Sequence, residues 1–262
     1  LCFTPPERAE PLVEDWSEKV FIQDVAVRDA STEFGVFGVH GPKSTEKVAS
    51  VLNGAGAPEP ALSFVRGSMG DAGVTVIAGD GLAGEEGYEV VCAADAAADV
   101  FDTLLTNGMN AVPFGYATWD TLTAEAGTPL FDTELQGRVP NVLGLRNALD
   151  FEKGCYVGQE VVSKVENRGQ PSKRLVGLRP EELPAAGAAV FDGDASVGEV
   201  TRAVESPTLE APVALALVDF ELDADAVQVR VDEREVPAEV ASLPFVEGSD
   251  ASRRLPTYVG RE

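Results

Sequence analysis

Past residue 158 the apolar residues leave helical spacing and gather into short runs. Val161, Val162 and Val165 make the first, followed by residues 175–178, 188–191, 197–203, 213–220 and 227–231. Turn formers separate the runs at intervals of about ten residues. Short β-branched runs at that spacing build a small β-barrel or sandwich. The expectation is an antiparallel β-barrel over residues 161–246, then a polar, loosely held tail at 247–262.

The residues before 158 keep a different rhythm. A short helix is expected at 11–19, then a strand through Val20, Ile22, Val25 and Val27 with one slip in register, then a Gly-punctuated strand at 34–39. His40-Gly41-Pro42 makes a turn, residues 43–52 have helical spacing, and 53–60 form a Gly/Pro break. Strands follow at 62–66, 74–78 and 88–92, a helix at 97–106, a strand at 111–114 and a helix at 116–126 stopped by Gly127. Residues 128–152 form a connection with a helix at 143–149. Such a mixture packs as α+β lobes of the split βαβ, ferredoxin-like kind.

Charge narrows the function. The 262 residues carry 44 Asp+Glu against 20 Lys+Arg, a net −24, yet 44 % are hydrophobic, too many for a disordered acidic chain. That balance disfavours a general nucleic-acid coat and docking on anionic membranes. No stretch approaches the roughly 20 apolar residues of a membrane span. Of the 20 cations 14 are Arg and 6 are Lys. An acidic, Lys-poor surface fits a halophilic source, where salt screens self-repulsion. Three dispersed cysteines (Cys2, Cys92, Cys155) and one histidine, His40, do not compose a four-ligand zinc site. No metal site is expected. A disulfide framework is not expected either, which suggests a reducing, cytoplasmic compartment. No secretory leader is read, and a start at Leu1 suggests a fragment or a processed form.

Two local patterns point to chemistry that their neighbours argue against. Gly79, Gly81 and Gly84 match the GxGxxG of a pyrophosphate turn. Glu85 and Glu86 follow and would repel phosphate, and residues 88–92 favour strand over helix, so a hairpin loop is expected. His40 lies between turn formers with no Ser or Cys partner implied by spacing, and reads as a loop residue rather than a base.

Residues 138–179 stand apart. They hold eight cations against four acids, a net of +4, so the rest of the chain carries −28. Clustered cations in so acidic a chain suit an anionic ligand or partner, such as a polyglutamate tail, a carboxylate or an RNA backbone. They equally suit pairing with the chain's own acids. Within the segment lies Lys153-Gly154-Cys155-Tyr156-Val157-Gly158-Gln159-Glu160. Its glycines permit tight turns and close approach to a ligand. Lys153 beside Cys155 favours a nucleophilic thiolate; a small buried hydrophobe is the other reading of a free cysteine.

KGCYVGQE resembles the signature of the folate-binding YgfZ-type proteins, within the superfamily of glycine-cleavage T-proteins (aminomethyltransferases). Residues 167–175, with Arg168 and Arg174, resemble its continuation. Residues 122–129 (LTAEAGTP) are similar to LRLEAGxP, 84–89 (GEEGYE) to GEDGYE, Gly41-Pro42 to a GP turn, and 198–201 with Ser206-Pro207 to the barrel motif GxVTS…SP. The resemblance spans nearly the whole chain. It implies a three-lobed fold with its N-terminal part missing: 1–57 the rest of a first α+β lobe, 58–136 a second, 137–160 a connection bearing KGCYVGQE, then the barrel and the tail.

It also implies tetrahydrofolate, or a one-carbon derivative, in a central opening. Glu89 would contact the pterin, with Glu125, Tyr156, Gln159 and Arg168 as further cofactor-binding residues. Cys155, with Lys153, would be the catalytic pair, linked in YgfZ-type proteins to iron–sulfur cluster assembly or repair. The implied partners are folate and either iron–sulfur proteins or a lipoyl carrier protein. Three readings stand: a YgfZ-type protein, an aminomethyltransferase moving a one-carbon unit onto tetrahydrofolate, and an inert module that has kept the fold. Thr123 and Trp119 stand where the family often has arginine, and Leu82 where it has an aromatic that would stack on the pterin.

Overall fold

The computed structural model describes residues 1–22 and 24–258, apart from the side chain of Arg168. The chain divides into two compact units. The first comprises Leu1–Val39, Glu46–Ala78 and Tyr88–Val112; the second comprises His40–Thr45, Gly79–Gly87 and the residues from Pro113 onward.

The first unit is an α+β layer. Strands β1 (Phe34–His40), β2 (Phe64–Met69), β3 (Ala72–Ala78) and β4 (Gly87–Ala93) form one sheet in the order β1-β4-β3-β2. Period-2 alternation sends Val74, Val76 and Ala78 of β3 and Tyr88, Val90 and Cys92 of β4 to one face. There they pack with Val48, Val51 and Leu52 of α2 (Ser44–Val51 and its last turn) and with Val100 and Leu104 of α3 (Ala97–Thr106). The opposite face carries Ile77 paired with Glu89, and Thr75 paired with Val91. The buried Lys47 ammonium donates to the carbonyls of Asn107 and Met109, both at 2.6 Å, and so closes the carboxyl end of α3.

Helix α1 (Ala9–Lys19) buries no residue. The strands expected through Val20–Val27 and at 111–114 do not form among the described residues; Gln23 lies outside them. Val25 and Val112 are exposed, no neighbouring strand pairs with either stretch, and Pro113 has no N–H to donate.

The second unit holds a closed antiparallel barrel. It is built from β5 (Lys173–Pro180), β6 (Ala189–Asp192), β7 (Ala195–Ser206), β8 (Ala211–Asp219), β9 (Ala226–Val231) and β10 (Arg234–Ala241) in the order β10-β5-β8-β7-β6-β9. Its interior is filled by Val176, Leu178, Val190, Val200, Ala214, Ala216, Val218, Val229 and Val236. Strand β8 is buried on both faces, which explains its unbroken apolar run. Ala214, Ala216 and Val218 point inward, while Val213, Leu215 and Leu217 join Leu143, Leu145 and Phe245 outside. Helix α4 (Tyr116–Glu125) and a single π-helical turn at Phe131–Leu135 precede the barrel.

Three expectations change here. The strand at Val161–Val165 is instead helix α5 (Gln159–Arg168), entered through Gly158 at φ 87°. Val161, Val162 and Val165 lie at i, i+1 and i+4, which is also one face of a helix. The helix at 143–149 is reduced to a 3-10 turn at Arg146–Ala148. Gly144, at φ 63°, lies so close to Thr257 and Pro256 that a Cβ there would collide with backbone. As far as Tyr258, the last described residue, the tail is bound, not loose. Thr257 N–H donates to Gly144 O at 2.9 Å, and the Tyr258 hydroxyl donates to Val142 O and accepts from Leu175 N–H, both at 2.8 Å. Its polar residues are held by backbone partners, a form of attachment that hydrophobicity does not reveal. Among the described residues no helix is long and apolar enough to cross a membrane.

Candidate functional site

The loop from Gly79 to Gly87 is the hairpin connection expected, joining strand to strand with no helix after it. Gly79 N–H closes it on Gly87 O at 2.7 Å, and Gly81 and Gly84 take positive φ. Each acid in it has an internal partner. Asp80 accepts from Arg254 Nε at 3.3 Å. Glu85 accepts from the N–H of Ser249 at 3.0 Å and from its hydroxyl. Glu86 accepts from the Thr45 hydroxyl, and its carbonyl takes the Gly41 N–H at 3.0 Å. The glycines therefore shape a folded acidic loop between two strands.

Beside this loop sits His40. Its ring lies 4.9 Å from that of Trp119 and 6.4 Å from that of Phe114, and a Cβ on Gly87 would strike its Nδ1. Burial holds the imidazole below the ordinary histidine pKa, and Asp80 pulls partly the other way. His40 is thus a packed ring at the end of β1. The aromatic group around it went unread in the sequence, although Phe114 and Trp119 flank the start of α4.

Glu89 is half-buried on the inner strand β4 of the first unit, paired with Ile77 on the face turned away from the helices. Glu125 belongs to the second unit and ends α4. Its carboxylate accepts from Ser206 Oγ at 2.5 Å and Thr208 Oγ1 at 3.2 Å, and its carbonyl takes the N–H groups of Phe245 (2.8 Å) and Val246 (3.1 Å). Glu125 therefore pins α4 to the barrel rim.

A buried polar cluster lies next to it, and composition gave no sign of it. A bulge in β7 sets Val200 against Ala216 but Arg202 against Leu215, which turns Arg202 outward from the barrel. Its guanidinium donates to Thr123 Oγ1 and to Thr128 O, each at 2.7 Å, and lies 3.7 Å from Glu134. Glu134 is fully buried and accepts from Leu130 N–H (2.8 Å), Thr133 Oγ1 (2.6 Å) and Thr201 Oγ1 (2.8 Å). Burial lowers the Arg202 pKa, and Glu134 and then Asp120 oppose that shift.

The KGCYVGQE motif brings Lys153, Tyr156 and Gln159 together. They line a cleft of about 680 Å³ with Phe151, Ser163 and Lys164. Lys153 Nζ sits 4.6 Å from the centre of the Tyr156 ring, and Gln159 Oε1 accepts the Tyr156 N–H at 3.0 Å. Cys155 is exposed, not the buried small hydrophobe of the alternative reading. The Arg168 side chain lies outside the described residues. Other cations of this segment do find the chain's own acids: Arg146 meets Glu166 at 2.5 Å, Lys173 meets Asp219 at 3.1 Å and Arg138 meets Glu199 at 3.7 Å.

With this geometry in hand, comparison with known proteins is informative. The profile of the GCVT N-terminal domain matches residues 7–153, and that of the glycine cleavage T-protein C-terminal barrel domain matches residues 173–247. An aminomethyltransferase of Listeria innocua serovar 6a is 33 % identical over 242 residues, covering 88 % of this chain and 65 % of the relative. Those of Streptomyces coelicolor (34 % identical; 90 % of this chain, 66 % of the relative) and Cutibacterium acnes (33 %; 92 % and 68 %) are similar. The chain thus spans about two thirds of the length of these relatives. The crystal structure of the glycine cleavage system aminomethyltransferase T from Bartonella henselae shares the fold. Its TM-score is 0.58 at 19 % identity, covering 82 % of this chain and 85 % of that one.

Proposed function

The chain belongs to the glycine cleavage T-protein family, and on that premise we propose that it binds a tetrahydrofolate-type cofactor and passes a one-carbon unit onto it, as aminomethyltransferases do. The observation that carries this reading is the succession of the two family domains, at 7–153 and 173–247. Relatives named aminomethyltransferase support the activity. When bound, tetrahydrofolate supplies the nitrogens that accept the one-carbon unit. The residues present fit such a group: Glu89, half-buried beside Ile77, offers a carboxylate suited to the paired N–H groups of a pterin. The donor would be an aminomethyl group on a lipoyl carrier protein. The chain's part is then to hold donor and folate together and to assist proton transfer.

Calorimetric titration with tetrahydrofolate tests the binding. Heat with the wild type that is lost in Glu89→Ala supports it; no heat with the wild type overturns it. Ammonia release with the lipoyl carrier protein then tests the transfer.

One observation favours a second reading, a YgfZ-type protein serving iron–sulfur enzymes: Cys155 is exposed within KGCYVGQE, beside Lys153 and Tyr156. On this reading Cys155→Ala keeps folate affinity and lowers iron–sulfur enzyme activity in cells, and the wild type releases no ammonia. The acid-rich surface supports a cytoplasm of high salt, tested by a melting temperature that rises between about 0.1 M and 2 M KCl.

A further inference from the structure

The loop from Gly79 to Gly87 is costly to order, and the donors to its three carboxylates come from outside it. Four of its nine residues are glycine, which carry the largest backbone entropy to be lost on ordering. Three more, Asp80, Glu85 and Glu86, carry like charges that repel. An ordered loop of this composition needs donors from elsewhere, and most of them come from one short stretch near the end of the chain. Ser249 gives Glu85 its N–H at 3.0 Å and its hydroxyl. Arg253 N–H donates to Asp80 O at 2.9 Å, and Arg254 Nε to the Asp80 carboxylate at 3.3 Å. The two stretches also touch along the backbone. A Cβ on Gly248 would fall inside the radius of the Gly84 carbonyl oxygen, and one on Gly81 would meet Ala251 O at 2.8 Å.

We propose that residues 248–254 are a positioning clamp for the loop 79–87, and that through this loop they set the affinity for the planar ring of the ligand. The second half rests on the folate reading above, in which Glu89, two residues past the loop, meets the pterin. The clamp supplies a cation and hydroxyl and amide donors to carboxylates that would otherwise spring apart. A preordered loop spares the ligand the cost of ordering it.

Three variants of the full chain test this: Ser249→Ala/Arg254→Ala, which removes the side-chain donors; Gly248→Val, which wedges the strands of chain apart; and Ser249→Thr/Arg254→Lys, which restores donors. Backbone hydrogen exchange over 79–87 reads the clamp, and tetrahydrofolate calorimetry reads its use. Tyr258 is left intact, and a melting temperature near the wild type's certifies that the barrel is folded. The first two variants should exchange the loop amides at least about tenfold faster and weaken tetrahydrofolate about tenfold, and the third should return both toward wild type. Unchanged loop exchange in folded variants overturns the clamp. Faster exchange with unchanged folate affinity overturns its role in binding. A wild type that binds no tetrahydrofolate sinks the folate reading and the ligand half with it, while loop exchange still decides the clamp.

Discussion

Arg202 on β7 reaches Thr123 on α4, its Nη1 donating to the threonine hydroxyl at 2.7 Å. Both residues are buried, so the pair ties α4 to the barrel where water has little access. Replacing Arg202 by Ala leaves Glu134, which is 0 % exposed, without its nearby cation. Loss of one partner of a buried pair costs about 3 kcal/mol, to be read as a lower urea midpoint. A midpoint for Arg202→Ala equal to the wild type's would show that Glu134 is satisfied by its neutral donors alone.

Ser206 and Glu125 make a second bolt between α4 and the barrel, 2.5 Å long and buried. Ser206→Ala removes a donor from a carboxylate with little access to water, at a cost of about 1–3 kcal/mol. Thr208→Ala, at the exposed end of the same carboxylate, should cost less. Equal denaturation midpoints for the two variants would contradict this difference in burial.

His40 predicts a pH dependence. Burial against Trp119 lowers its folded pKa, so the folded state favours the neutral ring more than the unfolded state does. Its contribution is fully present above the unfolded value of about 6.5 and is lost as pH falls from there through the lowered folded value. Wild-type stability should therefore decline over that interval more steeply than that of His40→Gln. Parallel stability curves for the two proteins would remove His40 from the pH response.

Strong local signals were legible in the sequence. The helix at 97–106 has its observed bounds because Val100 and Leu104 repeat at four and Gly108 follows. The barrel was legible because short apolar runs recur between turn formers at intervals of about ten residues. What failed depended on distant partners. Val20–Val27 looked like a strand, but none forms there among the described residues, and the tail as far as Tyr258 looked loose because its attachments run to the backbone of Gly144, Asp80 and Leu175. The bulge that aims Arg202 leaves no trace in hydropathy. At the candidate site Lys153, Tyr156 and Gln159, which the motif groups within seven residues, line one cleft. The partners of Glu125, remote in sequence, had no local signal.

The three cysteines should separate by reactivity. Cys2 and Cys155 are exposed, whereas Cys92 is buried on β4, its Sγ 3.8 Å from Gly35 O. Burial also raises the Cys92 pKa, which holds it as the less reactive thiol. Brief alkylation of the native protein, read by mass spectrometry of peptides, should label Cys2 and Cys155 and spare Cys92. Unfolding in urea should add the third label. Labelling of Cys92 at the rate of Cys155 in the native state would mean that the sheet opens around it. Protection of Cys155 would withdraw the exposed thiol on which the iron–sulfur reading depends.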